Sequence, residues 1–192
     1  ACMMNPEMSV RTAIGTYDLL PGAFVSEYGY PGPPAAESIC DYFGGAEIDR
    51  SSRIWRIHTN TFEKETVDAG IRRYYRDTED LSLEDYILYA GMVQSLMLSY
   101  SLQSFRFRES CGGGLFWMYD DSWGEIGWSV IDYYRRPKIA YYGVRRALRP
   151  VLAVLRRTGD TVTVKIVNDT GRDVTGEAEI GYLSADGSIR RL

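Results

Sequence analysis

Two short apolar runs in this chain each end in acid. Ala23-Phe24-Val25-Ser26 is followed by Glu27, and Leu115-Phe116-Trp117-Met118-Tyr119 by Asp120-Asp121. A carboxylate held at the end of a buried strand suits nucleophilic or acid/base work, and a pair about 5 to 5.5 Å apart suits glycosidic hydrolysis with retention. The bland reading of Glu27 is a loop cap or a partner for a surface arginine, and position alone leaves that open. Adjacent Asp120 and Asp121 could bind sugar hydroxyls or a metal, but with no His or Asn grouped around them they make a poor metal signature. His58, the one histidine, falls in a polar stretch with Trp55, and by default it is a hydrogen-bonded loop residue.

The aromatic content points the same way without deciding anything. Fifteen Tyr, 6 Phe and 4 Trp make up 13% of the residues, with Trp at 55, 117, 123 and 128. Aromatic faces stack on sugar rings, and they are equally ordinary core material. Lys and Arg number 22 against 26 Asp and Glu, a net charge of −4, and the charges are scattered. That excludes a basic stripe for nucleic acid. No run approaches the roughly 20 apolar residues of a membrane span, and Ala1-Cys2-Met3-Met4-Asn5-Pro6 lacks the layout of a signal peptide, so no membrane partner is expected. Cys2, Cys40 and Cys111 are too far apart to imply a disulfide framework or a zinc site.

The elements that must hold these residues read as a parallel α/β unit. After Leu19-Leu20-Pro21-Gly22 comes the first short strand, closed by the Pro/Gly-rich 29–34, then a short helix at 35–43 and an irregular polar stretch at 44–64. Ser82 to about Arg108 reads as one long helix, with Ser82 as N-cap and Glu84 and Asp85 in the first turn. It is apolar over most of its circumference, so it should lie between layers. Cys111-Gly112-Gly113-Gly114 ends it and the second strand follows. A strand, a long helix and a strand, with acids at both strand ends, is the pattern of a parallel unit whose site lies at those ends. Pro137 opens a last helix that stops before Pro150. From about residue 151 the period falls to two, as in Val162, Val164 and Ile166, which predicts the opening strands of an antiparallel sandwich continuing past Leu192.

Three motifs in order carry a family resemblance. Phe24-Val25-Ser26-Glu27-Tyr28-Gly29, followed by Pro33, resembles the segment that ends the seventh barrel strand in the β-mannosidases of glycoside hydrolase family 2. Gly114 to Trp123 is similar to that family's eighth-strand motif, and Gly127 to Tyr142 to the Trp-Ser-x-(Ile/Val)-Asp-Tyr stretch that ends in Pro-Lys. The resemblance covers roughly residues 17–150. It implies an α/β fold: residues 1–150 as the C-terminal portion of a (β/α)8 TIM barrel, and residues 151–192 as the first strands of an immunoglobulin-like β-sandwich. It implies a retaining exo-β-glycosidase acting on terminal β-D-mannosides, with Glu27 as nucleophile and Trp117 as an aromatic wall. Asp121 and Trp123 fall on motif positions near the pocket, and Trp55 and His58 match a Trp-x-x-His loop beside it. No metal or organic cofactor is implied. The implied partners are a β-linked sugar and the remainder of the barrel, including an acid/base Glu on the fourth strand, upstream of residue 1.

The sequence departs from the family at Met118, Asp120 and Gly124, where Gln, Asn and Pro are usual. Asp120 adds negative charge near the pocket, which would favour an amine-bearing substrate, as in exo-β-glucosaminidases. Other family 2 β-glycosidases and a non-catalytic carbohydrate-binding module are the alternatives. The chain alone is expected to be inactive, because none of Glu37, Glu84, Glu109 and Glu125 lies on an element that could replace the missing acid/base.

Overall fold

The computed structural model describes residues 7–59 and 63–191; Cys2 lies outside the described residues. Helix α1 (Met8–Arg11) and a 3-10 turn (Ile14–Leu19) lead into strand β1 (Val25–Gly29) and helix α2 (Ala36–Phe43). Helices α3 (Arg53–Ile57), α4 (Glu63–Tyr74) and α5 (Leu83–Phe107) precede strand β2 (Gly114–Trp117) and helix α6 (Ile139–Ala147). Strands β3 (Val151–Thr158), β4 (Thr161–Asn168), β5 (Gly181–Leu183) and β6 (Ile189–Arg191) complete the chain.

β1 and β2 are parallel neighbours, and α5 crosses between them as the periodicity predicts. Ser82 caps α5, its Oγ accepting the Asp85 amide at 3.1 Å. Tyr86, Ala90, Val93, Met97, Leu98, Leu102 and Phe105 of α5 are buried. Burying each of the Val, Met, Leu and Phe side chains among these contributes roughly 1.5–3 kcal/mol relative to exposure. Against the last turns of α5 lies an edge-to-face cluster in which Tyr28 of β1 meets Phe105 at 5.0 Å and 87°, with Tyr17 completing it. α6 returns along α5, and Gly91 lets Ile139 approach the helix backbone.

Three sequence expectations are corrected. β1 starts at Val25 and runs through Glu27, which therefore belongs to the strand and does not follow it. The stretch read as irregular at 44–64 contains α3, capped by Ser52 (its Oγ accepts the Trp55 amide), and runs into α4. The alternating pattern at 177–182 yields pairing only at Gly181–Leu183, because no sheet backs residues 171–180 and both faces of that segment are exposed.

β3 and β4 form an antiparallel hairpin in register from Val151↔Asn168 to Thr158↔Thr161, turned by Gly159 with φ 60°. It is tied to α5 by three cations. Arg106 donates to the carbonyls of Ala147 at 2.5 Å and Pro150 at 3.3 Å and pairs with Asp169 at 2.7 Å. Arg156 lies over Tyr100, and Lys165 donates to the Phe107 carbonyl at 2.8 Å. Among the described residues β5 and β6 pair only with each other. No described helix is long and apolar enough to cross a membrane.

Candidate active site

The strand that carries Glu27 is irregular at that residue. Val25 pairs with Gly114 and Tyr28 with Phe116, so three steps on β1 oppose two on β2. The extra residue is a β-bulge at Ser26-Glu27. It lets Val25 and Tyr28 both face the core while Ser26 and Glu27 both face solvent. A bulge re-aims side chains, and here it turns a carboxylate out of the pleat midway along a parallel strand. The next pair in register is Gly29↔Trp117, where the strands lie so close that a β-carbon on Gly29 would collide with the Trp117 carbonyl. Trp117 is 52% exposed, and the bond from it to Met118 is a cis peptide.

Loops from both strand ends fold together around a buried polar core. Gln94 of α5, fully buried, donates to the carbonyls of Tyr30 at 3.0 Å and Ser129 at 3.0 Å, one from each loop. The Lys138 ammonium is buried against the Gly32 carbonyl at 3.2 Å and Asp121 Oδ2 at 3.4 Å, and neither charged side chain has any exposed surface. Ser129 Oγ donates to the same Asp121 oxygen at 2.6 Å. Burial pushes the Asp121 carboxyl up and the Lys138 ammonium down, and each is opposed by the other's charge. The Glu125 carboxyl is also raised, by burial first and by the Asp121 charge second. Nearby, Ser38 donates to buried Asp132 at 2.5 Å, and Arg136 joins Ser38, Asp41 and Glu37.

Over this core stands an aromatic stack. His58 lies between Tyr42, at 4.4 Å and 12°, and Trp123, at 4.7 Å and 23°. Its Nδ1 is 2.5 Å from the Gly124 carbonyl, which can only accept, so Nδ1 carries the proton. Trp123 is 43% exposed.

The structure thus separates the residues singled out in the sequence. Glu27, Trp117 and Trp123 present surface at the strand ends and the loops that follow them, and His58 is half-buried beneath Trp123. Trp55 is a core residue, 5% exposed, edge-on to Phe43 and Tyr86. Asp121 offers its carboxylate to Lys138 and Ser129 from a position without side-chain exposure. Tyr42, Gln94, Glu125 and Lys138 were not recognisable as parts of one cluster, since they come from four separate segments. Only the Pro-Lys of the third motif hinted at Lys138. Among the described residues no group of three or more His, Cys, Asp or Glu is placed to hold a metal ion.

A parallel β-α-β unit with a carboxylate and indole faces at its strand ends is a glycosidase-like arrangement. No protein-family model matches the chain. The β-mannosidase B of Aspergillus fumigatus is 31% identical over 88% of this chain and 22% of its own length. That of Aspergillus niger is 29% identical over the same shares. Among solved structures, the β-D-mannosidase of Dictyoglomus thermophilum superposes with a TM-score of 0.71 and 28% identity, over 82% of this chain and 20% of that one. An exo-chitosanase of Amycolatopsis orientalis shares the fold, with a TM-score of 0.57 and 17% identity over 76% and 18% of the two chains. The chain is β-mannosidase-like. It spans about a fifth of the length of the curated relatives it matches.

Proposed function

We propose that this chain supplies the nucleophile end of a retaining exo-β-glycosidase that removes terminal β-D-mannosyl units. The observation that carries the reading is Glu27, exposed on a β-bulge midway along a parallel strand, two residues before the tight Gly29–Trp117 pair that closes it. The Glu27 carboxylate attacks the anomeric carbon and the bond to the leaving oxygen breaks as that oxygen takes a proton from a second carboxyl. Water, giving up a proton to that second group, then releases the sugar and frees Glu27. Trp117 offers a face on which the ring rests while it flattens. Nothing in this sequence of steps requires a metal or an organic cofactor.

The same reading makes residues 1–150 the C-terminal part of a (β/α)8 barrel and residues 151–192 the start of a sandwich. Phe24, Leu115 and Tyr119, at or beside β1 and β2, are exposed on the strand pair. In a closed barrel that surface would meet further strands. Three glutamates are engaged elsewhere: Glu37 pairs with Arg136 at 2.9 Å, Glu109 faces Lys165 at 3.8 Å, and Glu125 is folded across Gly127. The chain by itself is therefore expected to be inactive.

Amine-bearing sugars form a second reading, supported by Asp120, which is exposed just past β2 beside the buried Asp121. The test is mass spectrometry of the complete protein after exposure to 2-deoxy-2-fluoro-β-mannosyl fluoride and to 5-fluoro-β-glucosaminyl fluoride, which keeps the 2-amine. A mannosyl adduct on Glu27 is expected. An adduct only from the amino sugar would move the substrate to glucosaminides, and no adduct from either would overturn the glycosidase reading.

A further inference from the structure

Gln94, Ser101 and Ser104 lie among the buried residues of α5. Ser101 Oγ donates to the Leu98 carbonyl of its own helix at 2.8 Å, and Ser104 Oγ to Asp18 at 2.5 Å. Gln94 reaches further, to the C-terminal ends of both β1 and β2. Its Nε2 donates to the carbonyls of Tyr30 and Ser129, each at 3.0 Å, with the Trp128 carbonyl 3.4 Å away. Tyr30 is the residue after β1, and its hydroxyl donates to the Thr66 carbonyl of α4 at 2.8 Å. Trp128 lies beside the end of β2, its carbonyl accepting the Met118 amide at 3.1 Å. One side-chain amide is thus bonded to the residue next to Gly29 and, by way of the Trp128–Ser129 segment, tied to the residue next to Trp117. Gly32 leaves room for it: a β-carbon there would overlap the Gln94 side chain, and the Gly32 amide bonds the Gly127 carbonyl at 2.9 Å.

We propose that Gln94 is a positioning residue of the site: its amide clamps the ends of β1 and β2 and so fixes the Glu27 carboxylate relative to the Trp117 face. The Tyr30 and Ser129 carbonyls are buried acceptors, and one left unpaired would turn toward another donor or water and take its strand end with it. Two N–H groups on one uncharged nitrogen serve both carbonyls at once. A lysine or arginine there would bury a second cation beside Gly32, whose carbonyl already serves Lys138 at 3.2 Å, and an asparagine is one methylene short. The setting matters for a covalent nucleophile, since a misplacement of about 1 Å can cost on the order of a hundredfold in rate. The consequence for catalysis rests on the glycosidase reading; the clamp itself does not.

The experiment uses the complete protein with two changes at this position. Gln94→Met keeps the length and removes both donors; Gln94→Glu keeps the shape and, as the neutral acid that burial favours, one donor. Met97→Ala, in the apolar core of the same helix, is the control for lost stability. Backbone amide exchange is read at Met118 and Gly32 where each variant is folded by circular dichroism, alongside kcat and KM for p-nitrophenyl β-mannoside. Exchange at both amides is expected to quicken about tenfold or more in Gln94→Met, by less in Gln94→Glu, and not in Met97→Ala. In the same order kcat should fall, about tenfold or more for Gln94→Met, with KM changed less than about threefold. Should Gln94→Met not fold, Gln94→Glu decides alone. Unaltered exchange in a folded Gln94 variant, or equal quickening in Met97→Ala, overturns the clamp, and quickened exchange with unaltered kcat overturns the positioning role. If the unaltered protein cleaves neither a β-mannoside nor a β-glucosaminide, the glycosidase reading fails and the exchange result still decides the clamp.

Discussion

Gly29 and Trp117 face each other across the parallel strand pair at a separation that admits no side chain on the glycine. The contact is backbone to backbone, with the Trp128 ring closing the other side at 3.0 Å from where a β-carbon would stand, so neither neighbour can give way cheaply. Gly29→Ala should therefore force the strand ends apart, at a cost of about 1–3 kcal/mol, the range for overpacking a tight site. Urea unfolding followed by tryptophan fluorescence measures this, and an unchanged midpoint would show that the strands part easily.

Glu27 carries the opposite expectation. Its side chain is exposed, so Glu27→Gln should leave thermal stability within the small range of surface substitutions. In the complete protein the same change should lower kcat/KM for a β-mannoside by roughly a thousandfold or more, as expected when a covalent nucleophile is removed. Retention of most activity would shift the nucleophile elsewhere.

Trp55 and Trp123 fall in regions of the sequence that look alike in chemistry, and the fold assigns them different surroundings. Trp55→Ala should cost about 3–5 kcal/mol of stability, because Trp55 is buried among Phe43, Tyr86 and the Arg50 guanidinium. Trp123→Ala, from a half-exposed ring, should spare stability and raise KM. Differential scanning calorimetry paired with steady-state kinetics separates the two.

Glu125 should make stability depend on pH in a particular direction. Its carboxyl is raised in the folded state, so the native protein holds that proton more tightly than the unfolded chain does. The stability it contributes is fully present below the ordinary carboxylate range and is lost as pH rises through the folded value. Glu125→Gln mimics the protonated form. The variant should melt above the unaltered protein at pH 8, with the gap narrowing as pH falls toward 4. A gap that widens on acidification would mean that Glu125 is held as the anion.

The elements with local signals were legible in the sequence. α5 announces itself through Ser82, the acids of its first turn and an unbroken apolar period, and the two strands do so through short apolar runs stopped by glycine and acid. The bulge at Ser26-Glu27 was not legible, because a pairing offset belongs to two strands at once and neither sequence alone records it. Trp55 and Trp123 illustrate the same limit for the site: both are tryptophans near polar loops, and only the packing of α3 against α5 and the stacking on His58 tell a core ring from an exposed one. Lys138 beside Asp121 lay beyond reach for a related reason, since a lysine before a helix normally reads as a solvated surface charge.

The guanidinium of Arg106 reaches the last turn of α6, the Pro150 carbonyl and the far end of β4 at once. Residue 150 is where the sequence period changes, and Arg106 bridges that point. A protein cut after Pro150 would keep Arg106 with its Asp169 partner gone and would strip the cover from the end of α5. The hairpin that looks like the beginning of a separate module is, at this joint, part of the floor on which the helical half stands.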